Sequence, residues 1–523
     1  MKTTVKKYIG ILSAAFAGMA LTACSDFLTE YSQDLAKVES WQDLDEVLLG
    51  DAYMQSSRVS FDDDDASAGD NLDILHVMSD ELKEAIEYDC MDMLDYKKSL
   101  FAFHTWQQDT GFDEKLKYRG GDDEYWNNIY TKINVCNMVI ALIDEQPEPK
   151  VGDGLQKERV KGEAYFLRGA YYFLLANLYA QPYVPSTAAS VPGVPVKTSE
   201  YVEDIEYTRE TLAQTYERIV NDLAEAEHFL EGKGRKSVYR ADVTAARLLM
   251  SRVCLYMQDW PGAVKYARLA LDGQDALLDL HGKTAGDNCI YRDSPETIFT
   301  MGSYAMAAEF SYGRSFGINQ SPAYYISDEM MELFDRSDLR SNLYVGKTEK
   351  YNYSPVFTKL NGQQSAWGPY YEVSSSFLLR TPEAYLTLAE ASAFNDDEST
   401  AREYLERFLA TRKLTSVTVS ESGNDLIDLI RAERAREFLM EGHRWFDLRR
   451  YCVCVPYPWS KEIVHSHGYY DSDRYDVDYV DSYRLEPYDK AYTLPIPRTV
   501  RNFQISIGNN ERPERPAFMT EKY

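Results

Sequence analysis

Four residues recur in step along the chain: Ala246, Asp259, Ala263 and Tyr266 are answered by Ala384, Asp397, Ala401 and Tyr404, with no gap between them. In each set one apolar-periodic segment ends at an Asp-containing turn, and the next carries a small residue followed by an aromatic one. Small side chains at contact positions let two antiparallel helices approach closely, which is the logic of tetratricopeptide-like helical hairpins. A chain that carries the pattern twice is constrained to a mostly α scaffold. Asp242 is placed to cap the first helix of the first hairpin. The turn Asp259-Trp260-Pro261-Gly262 breaks the stretch 242–271 into its two halves.

Helical periodicity is also strong elsewhere. Leu44, Val47 and Leu48 share a face within 40–50, and Gly50 is placed to stop that helix. Ile129, Ile133, Val135, Met138, Val139 and Leu142 recur through 126–145 at three- and four-residue steps. Ala164, Leu167, Tyr171, Leu174 and Leu178 form a stripe through 158–179, ended by Gln181-Pro182. A further amphipathic helix is expected over about 209–230. Between about 273 and 380 the helical pattern fades and Gly, Ser, Asn and Tyr dominate. An irregular insertion of that length inside a regular scaffold tends to carry function. The tail after Tyr451 reads as irregular again, rich in Tyr and Asp.

The N-terminus sets the compartment. Lys2, Lys6 and Lys7 precede an uncharged stretch over 8–22, too short for a transmembrane helix but right for a signal-peptide core. It ends in Leu21-Thr22-Ala23-Cys24, the pattern of a lipobox. Residues 1–23 are therefore expected to be removed, and the Cys24 thiol to receive the lipid that anchors residues 24–523. A chance cysteine after an ordinary signal peptide is the alternative. No later stretch is apolar for long enough to cross a membrane. Formal net charge is −28, and loss of the three leader lysines makes the rest more negative still. Such a surface repels nucleic acid and anionic lipid head groups, and keeps an exported protein soluble. The cysteines after Cys24 are too few for a disulfide framework and lack zinc-site spacing; Cys136 and Cys254 sit in apolar helical runs and read as buried.

The chain has 41 tyrosines in 523 residues. Most must pack between helices, but Tyr also suits surfaces that grip polar molecules by their C–H faces, as sugars require. No nucleophile elbow, metal box or phosphate loop is present. The acidic patch at 62–65 lacks the spaced oxygens of a calcium loop. His465 and His467 have no third ligand at metal spacing and read as exposed loop residues. Two carboxylates would suffice for glycoside hydrolysis, so composition leaves a glycan-cleaving enzyme open beside a binding protein and a purely structural scaffold. Within 431–451, Glu433, Glu437 and Glu441 follow at four-residue steps with Arg434, Arg436, Arg444, Arg449 and Arg450 nearby. That arrangement reads as an ion-pair network locking adjacent hairpins rather than as an active site.

Three segments identify a family. GEAYFLRGAYYFLLANLYAQPY (162–183), RAERAREFLMEGHRWFDLRRY (431–451) and YTLPIPRT (492–499) together resemble the SusD/RagB family of outer-membrane nutrient-binding lipoproteins. Glu433-Arg434, Glu437, Glu441-Gly442, Arg444 and Asp447-Leu448 stand in that family's spacing, and Asp26-Phe27-Leu28 follows the lipobox. The tail departs from the pattern, reading Arg501-Asn502-Phe503-Gln504 and then Asn509-Asn510, which puts its packing in question. The resemblance implies one domain over 24–523 built on four tetratricopeptide-like hairpins with a ligand-facing, loop-rich region. It also implies a non-catalytic, lipid-anchored protein of the cell surface that hands glycans, or in some members peptides, to a SusC-like TonB-dependent β-barrel transporter. No cofactor, metal or nucleic acid is expected. The ligand is expected on loops between the first hairpins and on the insertion, where Trp106, Tyr304, Tyr312, Trp367, Tyr370 and Tyr371 offer rings and Asp70, Asn71 and Gln364 offer polar groups. Trp367, flanked by Gly368, Pro369 and the tyrosine pair, either presents its ring outward or packs on the scaffold.

Overall fold

The computed structural model describes residues 38–53, 72, 74–86, 94–201, 203–301, 323–347, 355–359, 363–365, 368–370, 373, 377–471 and 476–523. The leader, Cys24 and the acidic patch at 62–65 lie outside these residues. Helix α1 (Trp41–Val47) opens on a capping box, in which Ser40 Oγ accepts from the Asp43 amide and the Asp43 carboxylate accepts from the Ser40 amide at 2.9 Å. A π-turn, Leu48–Ala52, runs on through Gly50 instead of stopping there. Leu44 and Leu48 are buried, whereas Val47 stays partly exposed. After α2 (Ile74–Val77), β1 (Leu82–Glu84) and α3 (Leu94–His104), the scaffold begins with α4 (Glu124–Leu142), α5 (Asp153–Tyr179) and α6 (Leu212–Leu230).

Helix α5 lies between α4 and α6. From Val160 onward it is buried on nearly every side, with Glu163, Arg168 and Asn177 buried among its apolar residues. Its seam with α6 is tight: a Cβ added at Gly162 would sit 2.8 Å from Leu230 Cγ, and one at Gly169 would sit 3.1 Å from Leu223 Cγ. Arg168 crosses the seam to grip both oxygens of Asp222 at 2.9 and 2.7 Å and gives a third bond to Asn137 of α4.

The repeated hairpins are α7 (Val243–Tyr256) with α8 (Trp260–Gly273), and α11 (Thr381–Phe394) with α12 (Glu398–Leu409). Asp242 caps α7 as expected. Asp259 caps α8 by accepting from Gly262 N at 3.1 Å, and Asp397 caps α12 by accepting from Thr400 N at 3.1 Å. Ala246, Ala263, Ala384 and Ala401 are all buried. The match extends to backbone the sequence did not reveal: the residue before each cap, Gln258 and Asp396, is left-handed, at φ 61° and 57°. Helix α11 packs on α8 and on α13 (Gly423–Glu437), which stacks the two repeats side by side.

The insertion enters and leaves through one antiparallel ladder, β2 (Thr297–Thr300) against β8 (Leu378–Arg380). Between them are β3 (Tyr324–Ile326), which pairs with β1; α9 (Asp328–Glu332); α10 (Arg340–Leu343); and two short strand pairs, β4 (Val345–Lys347) with β5 (Pro355–Phe357) and β6 (Gln363–Ser365) with β7 (Gly368–Tyr370).

The tail corrects an expectation. After α14 (Arg444–Cys452) come β9 (Ile463–Asp471) and β10 (Asp476–Leu485), a long antiparallel hairpin, then α15 (Arg498–Phe503) and β11 (Met519–Lys522), which pairs with β10. The alternation of a half-buried strand is present, but His, Tyr and Ser fill many inward positions, so no aliphatic period of two stands out. The tail is held by its own asparagines. Asn510 donates to the carbonyls of Tyr179 and Leu494 at 2.7 Å each, and Asn509 accepts from the Ile496 amide at 2.9 Å. Among the described residues no helix is long and apolar enough to cross a membrane.

Candidate functional site

The charged signature of α13 and α14 is a buried clamp. Glu437, fully buried, accepts from Arg380 Nη1 at 2.9 Å, from Arg412 Nε and Nη2 at 3.0 Å each and from Arg340 Nη1 at 3.3 Å. Glu441 takes Arg380 Nε and Nη2 at 2.8 and 2.7 Å and also Lys359. Glu296, beside β2, receives Arg412 at 2.6 Å and Arg380 at 3.0 Å. Arg340 closes the set through Asp338 and Glu433. A second group joins α11 to α14: Arg450 binds both oxygens of Glu390 at 2.6 and 2.7 Å, while Asp447 takes Arg450 and Arg434. A third reaches back to the N-terminal part, where Arg444 grips Asp80 with two bonds of 2.7 Å and the Met440 amide donates to Glu81 at 2.8 Å.

Burial alone would raise the carboxyls of Asp80, Glu437 and Asp447, but the cations facing them prevail and hold all three below the ordinary range. They stay charged and paired, which is what a clamp requires. A general acid for glycoside cleavage needs the opposite shift. Among the described residues, the carboxylate pushed upward by burial is Asp242, the cap of α7.

Of the residues expected to meet a ligand, Asp70, Asn71, Tyr304, Tyr312, Trp367 and Tyr371 lie outside the described residues. Tyr370 pairs with Gln363, and Gln364 with Pro369, in the β6–β7 ladder. Trp106 is a correction. It follows α3 with φ 51°, is 0 % exposed, donates its indole N–H to Met78 O at 2.9 Å and stacks on His465 at 4.3 Å. Its ring is core, with no face left for a sugar.

His465 and His467 are corrected too. Both are buried on β9 rather than exposed in a loop, because strand alternation turns every second side chain toward α3. His465 lies between Trp106 and His104, 4.2 Å from the latter, and its Nδ1 bonds His104 O at 2.7 Å. Burial keeps both His104 and His465 below their ordinary pKa. His467 Nδ1 meets Glu84 at 2.7 Å. Burial raises the Glu84 carboxyl, but His467 and Lys97 outweigh it and bring it to about 2. Among the described residues, no group of three or more His, Cys, Asp or Glu side chains is arranged to hold a metal ion.

Comparison with known proteins gives two family matches. Residues 64–255 match a family described as starch-binding associating with outer membrane, and residues 297–510 match the SusD family. Among curated proteins no sequence matches. Solved structures do. A putative sugar-binding protein from Bacteroides vulgatus is 21% identical, with 91% of this chain and 99% of that one covered at a TM-score of 0.67. A SusD-like carbohydrate-binding protein from the same organism is 19% identical, covering 90% and 97% at 0.67. A SusD superfamily protein from Bacteroides thetaiotaomicron is 20% identical, covering 90% and 100% at 0.65. At such identity the likeness concerns the fold, and it spans scaffold and insertion alike.

Proposed function

The chain belongs to the SusD/RagB family, and from that premise we propose that it is a lipoprotein of the outer cell surface that captures oligosaccharides or polysaccharides. It passes them uncleaved to a SusC-like TonB-dependent transporter. The observation that carries this reading is the pair of family matches across scaffold and insertion, joined by a fold shared with proteins described as sugar-binding. The leader ending at Cys24 supports attachment by acyl chains, and a chain held this way needs no membrane-crossing helix. The charged signature, being occupied in holding the fold together, leaves capture to the aromatic loops.

In this reading residues 24–523 act as one unit, and the ligand is held through the rings of Tyr304, Tyr312, Trp367, Tyr370 and Tyr371, with Asp70 and Asn71 supplying polar groups. The test is to tag the C-terminus, solubilise outer membranes gently and identify what co-purifies. A stoichiometric β-barrel transporter is the expected result. Recovery of the protein alone, under conditions that keep other such complexes intact, would sink the delivery role. At the site itself, Trp367→Ala is expected to weaken binding of the transported glycan about tenfold without lowering the melting temperature. Unchanged affinity removes Trp367 from the site.

A further inference from the structure

The β9–β10 hairpin carries one face that the clamp does not use. In its register Tyr483 stands opposite His465, Asp481 opposite His467 and Tyr479 opposite Tyr469. Residues two apart along a strand share a face, so these six side chains form two parallel files. The inner end is closed. His465 and Tyr483 are buried, and Phe101 of α3 meets Tyr483 edge-on with ring centroids 5.7 Å apart. The outer end is open: Tyr469 and Tyr479 are both partly exposed and stack with centroids 4.3 Å apart and planes 13° apart.

Stacking occupies one face of each ring. Tyr469 is the better supported of the two, since its hydroxyl lies 3.2 Å from that of Tyr483. On the other side of β10 stands β11, with Lys522 opposite Tyr479 and Thr520 donating to Asp481, and three carboxylates lie within electrostatic reach of the Tyr479 hydroxyl. Its partial burial comes first, and Asp481, Asp478 and Glu114 add to it in holding that hydroxyl above the ordinary tyrosine pKa. Glu114 comes from a turn 365 residues away in sequence, closed by the Leu116 amide donating to Asp113 O at 2.9 Å. Its Oε2 atom is buried, yet meets no hydrogen-bond donor among the described residues. A buried acceptor beside a flat aromatic platform calls for a ligand that brings hydroxyl donors and an apolar face together.

We propose that Tyr479, backed by Tyr469 and flanked by Glu114 and Asp481, is a subsite for a neutral sugar unit. The ring takes the C–H face of the sugar and the carboxylates accept from its hydroxyls. The carboxylates of Asp481, Asp478 and Glu114 outnumber Lys522, which stands opposite Tyr479 in the β10–β11 register, so the patch disfavours uronates and sulfated sugars and the class is neutral glycans. The subsite rests on the glycan-capture reading and adds to it a contact on the C-terminal hairpin, separate from the insertion. A polymer reaching both would be held at two points, which raises its affinity without any new contact at either.

The test is affinity electrophoresis of the mature protein through gels containing amylopectin, galactomannan, arabinoxylan or barley β-glucan, and in parallel polygalacturonate or chondroitin sulfate. Wild type is expected to be retarded by at least one neutral polymer. Tyr479→Ala should weaken that retardation about tenfold, and Glu114→Gln, which keeps the size of the side chain and removes its charge, should weaken it measurably. Melting temperatures are read alongside. If wild type binds a neutral polymer and both variants bind it equally well, the subsite is overturned while glycan capture stands. Retardation by the anionic polymers alone also overturns it. If no polymer is bound, capture and subsite fall together.

Discussion

Glu437 is fully buried and touches three arginines. A carboxylate moved out of water costs several kcal/mol, recovered only by close, hydrogen-bonded cations. Arg340, Arg380 and Arg412 supply them from three different segments. Removing the anion deprives all three cations of a shared buried partner and leaves Glu296, Asp338, Glu433 and Glu441 to hold them, so Glu437→Ala is expected to cost about 3–5 kcal/mol in urea unfolding. A loss below about 1 kcal/mol would show that the cations find other partners. At this scale the sequence was half legible. The four-residue steps of Glu433, Glu437 and Glu441 announced a network, but their main partners lie up to 97 residues away, and no local spacing points to them. Trp106 was misread for a related reason: a residue's type says that it has a ring, not which way the chain turns it. Only the left-handed backbone at Trp106 and the stacked His465 send that ring inward.

Among elements, the two hairpins were legible because their signals are local: a cap, a small contact residue, an aromatic one. Asp397→Ala is expected to lower stability by about 1 kcal/mol, measured by thermal melting, as loss of a helix cap does. The left-handed residues before the caps were not legible, since neither is glycine. They now make a contrasting pair. Asp396 is exposed, and Asp396→Gly relieves a left-handed side chain, for an expected gain of up to about 1 kcal/mol. Gln258 has the same backbone, but its amide bridges Tyr183 O at 3.2 Å, Val453 O at 3.0 Å and Val455 N at 2.9 Å. Gln258→Gly should therefore destabilise, and a gain at both positions would mean that those bridges hold nothing. The β9–β10 hairpin escaped the sequence because its inward residues are polar ones that find partners only once the strand has docked. Helix α5 was visible as a stripe, but its burial on all sides comes from neighbours that the stripe alone does not reveal.

For the whole molecule, acid is the informative stress. His104, His443 and His465 are held below their ordinary pKa first by burial, and the folded protein keeps them neutral. The unfolded chain takes up protons as pH falls below about 6.5, so folding stability is greatest above that value and declines beneath it. Each histidine contributes up to about 1.4 kcal/mol per pH unit. Urea unfolding at pH 7.5, 6.0 and 5.0 is expected to show a progressive loss of stability, and a flat profile would refute the neutral assignment. The acids of the clamp change nothing in that window, since their folded pKa values lie below the usual carboxylate range and their contribution is lost only in stronger acid. The β2–β8 ladder has a different kind of consequence. Both ends of the insertion pass through a gateway a few residues wide, and a long excursion from such a base adds little closure entropy as it lengthens. The insertion is thus an exchangeable cassette, open to recombination with that of a relative. Arg340, Lys359 and Arg380 travel inside it, however, and Glu437 and Glu441 wait for them on the scaffold. A graft that brings new aromatic residues without those three cations should misfold, whereas one that carries them inherits the dock and is free to change its diet.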